Sequence, residues 1–272
     1  MTKTAKKLAD LQQILRASSG AVIAYSGGVD STFLARIAQD VLQDRALMVM
    51  INSVLTPASE QQAAAALAAK LGFSFQVITA NVLKNEDITE NSPQRCYYCK
   101  KALFAELLQV AENNKMADVF DGSNFDDQYD FRPGARARQE LGIRSPLQEA
   151  ALTKAEIRLL SQAYSLPTWD KPALACLASR FPYGERLTKE KLAMVEQAEE
   201  YLHSLSFLQV RVRHHGLIAR IEVLPQQTPK IVTLSQQITA HFKALGYTYI
   251  TLDLSGYRMG SMNEVLPGKL SC

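Results

Sequence analysis

The sequence predicts an α/β protein: a parallel sheet with helices on both faces, followed by a small C-terminal α+β domain. Three observations carry this. Apolar runs of strand length alternate with helical periodicity through the first 166 residues, the order that builds a parallel sheet. A glycine-rich turn, Ser26-Gly27-Gly28-Val29-Asp30-Ser31, joins the first apolar run to the helix behind it. Beyond an irregular stretch the order changes to α-β-β-α-β. These readings divide the chain into a domain over 1–166, a linker over 167–187 that carries Cys176, and a second domain over 188–272. A length of 272 residues suits two domains or one large one, and 47% hydrophobic residues support a sizeable core.

Taken in order, residues 4–17 show helical periodicity. Ala21 to Tyr25 is an unbroken apolar run and reads as a buried strand, and Thr32 to Ala38 reads as a helix. Strands follow at 46–51 and 73–79 around an alanine-rich helix at 59–71. A helix spans 93–113, with Ser92 as its cap and Pro93 as its first residue. A strand at 117–120 and helices near 134–141 and 153–165 complete the first domain. The linker contains Pro167, Pro172, Pro182 and Gly184, and a stretch so long and irregular is expected to be functional. The second domain reads as helix 188–204, strands 209–214 and 217–223, helix 229–244 and strand 247–254. No internal repeat or low-complexity tract interrupts this order.

Composition excludes some roles. A net charge of +3 is too weak to argue for nucleic acid, although local basic clusters can take a smaller anion. No apolar run reaches membrane-spanning length, and Met1 to Lys7 is polar and lacks the apolar segment of a signal peptide, so the chain reads as cytoplasmic. Four cysteines in such a chain point to metal or catalytic use before disulfides.

The glycine-rich turn carries the clearest chemistry. Two glycines let the backbone approach a ligand closely, and the helix start aims N–H groups at one point, a geometry that binds phosphate. No Gly-Lys-Ser/Thr follows, so it is not a Walker A loop. Ser26, Gly27, Gly28, Asp30 and Ser31 are its candidate phosphate-binding residues. Asp121-Gly122-Ser123-Asn124 follows a strand and is a second candidate nucleotide contact. Asp126, Asp127, Asp130, Arg132, Arg136 and Arg138 come after it, carboxylates for Mg²⁺ and arginines for phosphate, or simply a solvated polar loop.

Cys96 and Cys99 form C-x-x-C near a helix start, where Arg95, Lys100 and Lys101 favour thiolates. With Cys176 they make three thiolates from two segments. That set suits an iron–sulfur cluster with one open iron, a structural zinc completed by a histidine, or unrelated buried cysteines. Cys272 is the last residue and is not counted as a ligand. Strict alternation in Val210-Arg211-Val212-Arg213 and Ala219-Arg220-Ile221-Glu222 places the charged side chains on one face of each strand. This face is either a site for a multiply anionic small molecule or the solvated face of a half-buried sheet. His203, His214, His215 and His241 show no ligand spacing. Tyr97 and Tyr98 can stack on a ring or merely pack, and Trp169 carries no signal.

SGGVDS, Cys-Tyr-Tyr-Cys-Lys-Lys, Asp-Gly-Ser-Asn, Phe-Arg-Pro-Gly, Cys-Leu-Ala-Ser-Arg-Phe-Pro-Tyr-Gly and Val-Arg-Val-Arg occur in this order. In this the chain resembles LarE-type enzymes, ATP-dependent sulfur transferases of the PP-loop superfamily, with a HUP-like sheet. The resemblance runs from about Leu8 to Asn263. It implies an ATP-binding domain followed by a substrate and oligomerisation domain. It also implies adenylation of a carboxylate with release of pyrophosphate, then thiocarboxylate formation on a pyridinium mononucleotide, toward the nickel-pincer cofactor of lactate racemase. The implied cofactors are ATP, Mg²⁺ and, for the subtype with three cysteines, a 4Fe–4S cluster bearing an extra sulfide on its open iron. Cys96, Cys99 and Cys176 would hold that cluster. Cys176 and Asp30 would be catalytic, Asp121 and Arg132 would join the loop in binding ATP, and Arg180, Glu199, Arg211, Arg213 and Glu222 would meet the substrate. The expected partners are a small anionic mononucleotide and further copies of the chain, with neither nucleic acid nor membrane. A PP-loop tRNA thiolase and a non-catalytic nucleotide-binding protein with structural zinc are the alternatives.

Overall fold

A computed structural model describes residues 2–129, 133–173 and 175–258. Its elements are α1 (Lys3–Arg16), β1 (Ala21–Ala24), α2 (Val29–Leu42), β2 (Ala46–Asn52), α3 (Ala58–Lys70), β3 (Phe75–Thr79), α4 (Glu86–Thr89), α5 (Arg95–Asn113), β4 (Asp118–Phe120), α6 (Pro133–Glu140), α7 (Pro146–Glu149) and α8 (Lys154–Ala163). After these come α9 (Lys189–Ser204), β5 (Val210–His215), β6 (Ile218–Val223), α10 (Thr228–Thr233), α11 (Ser235–Ala244) and β7 (Tyr249–Leu252).

The first sheet has the order β3-β2-β1-β4 and is parallel throughout. Its central strands are apolar at nearly every position because both faces are covered. The period-2 alternation sorts them. Ala21, Ile23, Met48 and Met50 pack with Leu11, Leu15, Phe33 and Ile37 of α1 and α2, and with Ala64 and Ala68 of α3. Val22 and Val49 face the other way, onto Phe104, Leu107, Val110 and Ala111 of α5. From β1 the sheet grows to one side through β2 and β3, and to the other side through β4. The loops that leave the carboxyl ends of β1 and β4 therefore flank the switch point, where open α/β sheets bind ligands.

The described chain divides into two compact units, one of Met1–Val82 with Gln94–Leu174, the other of Leu83–Pro93 with Ala175–Cys272. The stretch read from sequence as a linker thus splits at residue 174 between them. The second unit has a sheet of order β5-β6-β7, antiparallel at the first pairing and parallel at the second. Val210, Val212, Ile221 and Val223 pack with Ala198 and Leu202 of α9 and with Ile238 and Phe242 of α11. The segment 83–93 joins this unit through backbone bonds, Gly184 N–H to Asn91 O at 3.0 Å and Leu187 N–H to Thr89 O at 2.7 Å.

Two elements differ from the sequence reading. The cysteine helix starts at Arg95 after Gln94, two residues beyond the start read at Pro93. Asn91 turns the chain with φ of 54°, and its side-chain amide donates to Pro182 O at 2.7 Å, so 91–93 is held within the second unit. The helix read over 229–244 is two, α10 and α11, joined at Leu234. The Thr233 hydroxyl donates to Pro229 O at 3.0 Å, a back-bond that bends helices.

Candidate functional site

The phosphate loop is built by its own side chains. Ser31 Oγ accepts from Ser26 N–H at 3.2 Å, lies 3.0 Å from Ser26 Oγ, and donates to Gly28 O at 3.3 Å. Gly28 sits at the start of α2 with extended backbone, and no side chain caps that helix. An uncapped helix start leaves N–H donors for an anion. Gly27 has φ of +68°, and a Cβ there would lie 2.5 Å from Ala64 Cβ and 3.0 Å from its Cα. Gly27→Ala is expected to lower stability by about 1–2 kcal/mol for the left-handed backbone and by about 1–3 kcal/mol more for the overlap. Urea unfolding checks this. Adding Ala64→Gly should return most of the overlap part, less about 0.5–1 kcal/mol that a glycine inside α3 costs, and leave the backbone part.

The loop after β4 lies directly against the first. A Cβ on Gly122 would meet Ser31 N at 3.1 Å and Ser31 Cα at 3.2 Å. Asp121, beside it, is buried and engaged. It accepts from Ser123 N–H at 3.2 Å, from the Ser123 hydroxyl at 2.7 Å and from the Ser145 hydroxyl, with Arg138 at 3.8 Å. Its carboxylate braces the loop, and the part of the loop that reaches the helix start is the Gly122 backbone. Asp126 accepts from Lys154 N–H at 2.8 Å and Asp127 from Asn124 N–H at 3.0 Å. Asp127 is thus tied into a local turn, and Asp126 into the start of α8, 28 residues away. Asp130, Arg132 and Cys272 lie outside the described residues.

Asp30 is different. Its Oδ2 accepts from Lys154 Nζ at 2.6 Å, whereas Oδ1 is buried with no hydrogen-bond partner. The Asn124 amide is near enough to favour the ionised form without completing a bond to Oδ1. Burial pushes this carboxyl above the usual carboxylate range, against the pull of Lys154. A second lysine, Lys171, donates to Glu60 at 2.8 Å and to Gly27 O at 3.3 Å. The sequence marks neither lysine as a loop partner. They lie 124 and 144 residues from the loop groups they touch, and only the α/β topology brings them there.

Cys96 is exposed, Cys99 and Cys176 are partly exposed, and none of the three is in a disulfide. Cys96 and Cys99 belong to the first unit and Cys176 to the second. Among the described residues no three His, Cys, Asp or Glu side chains form a group placed to hold a metal ion. Tyr97 packs: it is buried, and its hydroxyl donates to Glu140 at 2.6 Å. That bond, with Arg136 2.7 Å from the same carboxylate, holds Glu140 down at about 2.

In the second unit the Cys176 carbonyl accepts from Ser179 N–H at 3.0 Å, from the Ser179 hydroxyl at 2.8 Å and from Arg180 Nη1 at 3.0 Å. Arg180 is itself paired in bidentate fashion with Glu199, at 3.0 and 2.8 Å, and Glu199 also accepts from Val212 N–H at 2.9 Å. The strand register sets Arg211 opposite Glu222 and Arg213 opposite Arg220, so all four share a face. That face is no solvated surface, because Arg213 and Glu222 are buried. They form a second bidentate pair at 2.9 and 2.7 Å, joined by Arg220 at 3.3 Å. Arg213 also donates to Ser179 O at 3.0 Å. Arg211 has a carbonyl, Val210 O, at 2.7 Å and the Tyr257 ring at 5.3 Å, but among the described residues no ion pair to a carboxylate. Burial and the neighbouring Arg180 guanidinium hold its pKa below the usual arginine range. A desolvated cation that no carboxylate pairs among the described residues suits an anion as partner. Tyr257 is likewise silent in the sequence, since its place beside Arg211 depends on the chain folding back past β6, where its N–H meets Val223 O at 2.8 Å.

The chain is similar to several known proteins. The family model described as NAD synthase matches residues 4–114, which include the phosphate loop. A protein of Synechocystis sp., called uncharacterized, is 43% identical over 262 residues, covering 96% of this chain and 98% of that protein. The pyridinium-3,5-bisthiocarboxylic acid mononucleotide synthase of Lactiplantibacillus plantarum is 41% identical over 267 residues, 98% of this chain and 97% of that enzyme. An uncharacterized protein of Methanocaldococcus jannaschii is 30% identical over 237 residues, 87% of this chain and 90% of that protein. No helix among the described residues is long and apolar enough to cross a membrane.

Proposed function

Because this chain belongs to the pyridinium-3,5-bisthiocarboxylic acid mononucleotide synthase family of PP-loop enzymes, we propose that it is an ATP-dependent sulfur transferase acting on a pyridinium dicarboxylate mononucleotide. The observation that carries this reading is one chain joining an uncapped phosphate-loop helix, with Asp30 inside it, to three cysteines held in no disulfide. A carboxylate resists sulfur nucleophiles because its oxygen leaves poorly. Attack of that oxygen on the α-phosphorus of ATP releases pyrophosphate and makes AMP the leaving group. Sulfur then adds to the acyl carbon, AMP departs, and a thiocarboxylate remains. Two carboxylates require two such cycles.

Ser26, Gly27, Gly28 and Ser31 supply the loop that holds the phosphates, and Asp30 offers its unpartnered Oδ1 to the divalent ion that accompanies ATP. Asp121 positions the second loop. Arg211 meets the substrate's phosphate or carboxylates, while Arg180 with Glu199 and Arg213 with Glu222 position that face. Three thiols form the donor set of a 4Fe–4S cluster with one iron open, and Cys96, Cys99 and Cys176 would hold it. When bound, such a cluster supplies the sulfide nucleophile. Copies of the chain are expected to assemble, and the cytoplasm is the expected compartment.

Anaerobically reconstituted protein, given ATP, substrate and sulfide, is expected to release pyrophosphate over many turnovers, with Cys176 unchanged in mass. Intact-protein mass spectrometry reads this. Stoichiometric loss of the mass of H₂S from Cys176 would show that the protein itself gave up the sulfur, and protein that binds zinc tightly and no iron would remove the cluster.

A further inference from the structure

His214 stands on β5 with only 2% of its surface exposed. Alternation puts it on the same face as Val210 and Val212, opposite the face that carries Arg211 and Arg213. Its ring meets two aromatic rings, Phe181 at 5.0 Å between centroids and Tyr247 at 5.6 Å. Nδ1 is 3.2 Å from the Tyr247 hydroxyl. Nε2 is 3.2 Å from Glu185 Oε1, near enough for an ion pair but out of line for a hydrogen bond. That oxygen is already engaged, because Lys191 Nζ of α9 donates to it at 2.9 Å. The segment these contacts seat, 181–187, begins directly after Arg180, and its Gly184 and Leu187 amides donate to Asn91 O and Thr89 O.

A neutral imidazole fits this setting and a cation does not. The groups that face the ring are Glu185 from the segment, Lys191 from α9, His215 from its own strand and Tyr247 from the turn after α11. Burial holds the His214 pKa below its ordinary value of 6.5, and Lys191 and His215 push the same way, against the pull of Glu185. We propose that His214 is a positioning residue that seats the segment 181–187 while its ring is neutral and loosens it when the ring gains a proton. A proton there draws Glu185 off Lys191 or admits water, and either moves the backbone beside Phe181. The disturbance reaches Arg180, which holds Glu199 and the Cys176 carbonyl. The folded chain takes up this proton less readily than the unfolded one. The stability that the neutral ring supports is therefore complete above 6.5 and is lost as pH falls from there through the lower folded value. The inference goes beyond the adenylating reading, and its test needs no nucleotide.

The test is hydrogen–deuterium exchange of the 181–187 peptide, read by mass spectrometry from about pH 8 to about pH 5 and corrected for the intrinsic pH dependence of amide exchange. It is run on the parent chain, on His214→Gln, which takes up no proton in this range, and on His215→Gln as a control. In the parent, protection of the Gly184 and Leu187 amides should fall severalfold on the acid side. His214→Gln should remove most of that fall, and His215→Gln should keep it. A residue that merely packs would change protection by the same factor at every pH. Parent protection that changes by less than about twofold over this range would overturn the proposal. So would a fall of parent size in His214→Gln, or its disappearance in His215→Gln. If His214→Gln does not fold, carbon-13 NMR of the parent decides, with the ring assigned through its contacts to Phe181 and Tyr247. The His214 ring should titrate below 6.5, and the fall in protection should lie between 6.5 and that midpoint. A ring that titrates at or above 6.5, or a fall outside that interval, overturns the proposal.

Discussion

Replacing Glu222 by Ala is expected to lower the free energy of unfolding by about 3–5 kcal/mol. Glu222 has 0% of its surface exposed and Arg213 has 5%. Its carboxylate answers the Arg213 fork at 2.9 and 2.7 Å and Arg220 at 3.3 Å. Removing the acid takes from a buried guanidinium the carboxylate that meets both its Nε and its Nη2, and the desolvation that this carboxylate offsets, rather than the forfeited attraction, dominates the loss. Glu222→Gln should fall between, since it keeps the shape and one acceptor. Urea unfolding of the two variants checks this. A loss under about 1 kcal/mol would put the pair in the class of exposed ion pairs and refute its burial.

Replacing Asp30 by Ala is expected to remove pyrophosphate release while leaving the iron content of reconstituted protein unchanged. The loop and the cysteines sit on different segments, so activation and sulfur storage should separate. Removing a charge aimed at a site of developing charge commonly lowers the rate on the order of a hundredfold or more. Folding should change little, and in either direction. Burial holds the Asp30 carboxyl above its ordinary range, so its ionised form opposes folding, and the Lys154 pair offsets that. The same direction has a pH consequence. As pH falls, Asp30 of the nucleotide-free chain takes up its proton earlier than an exposed aspartate, so binding of the divalent ion should weaken on the acid side, which titration calorimetry over pH checks. A variant that releases pyrophosphate at the parent rate would assign the role elsewhere.

How much of this is legible from residues alone follows the range of each interaction. Local patterns carry far: the apolar run before Ser26, the glycines after it and the alternation around Arg211 each describe what neighbours within a few residues do. The strand register confirms that Arg211, Arg213, Arg220 and Glu222 share a face. Alternation cannot say whether a face is wet, however, and this one is buried because the turn Leu177–Arg180 lies on it through Arg213 and Ser179. The start of α5 is misplaced from sequence for a similar reason. Ser-Pro is a fair cap signal in isolation, but Asn91 is committed to Pro182, 91 residues away. Lys154 and Asp121 mark the limit most clearly. One looks like an ordinary helix residue and touches the loop; the other looks like a ligand and braces a turn.

The segment 83–93 gives the chain a timetable. It leaves the ribosome some 90 residues before the stretch at 181–187 that it must pair with. At roughly 5–20 residues per second of synthesis, that is a wait of several seconds or more. In that interval the phosphate-loop unit can close around its own sheet, while Asn91 and Thr89 await the backbone they later hold. The second unit is therefore not a separable tail: a chain begun at residue 175 would lack the strand of backbone that Gly184 and Leu187 bind. The chain passes between its units after Val82, after Pro93 and after Leu174. A gene fusion or split of this protein has to respect all of these passages, not the last alone.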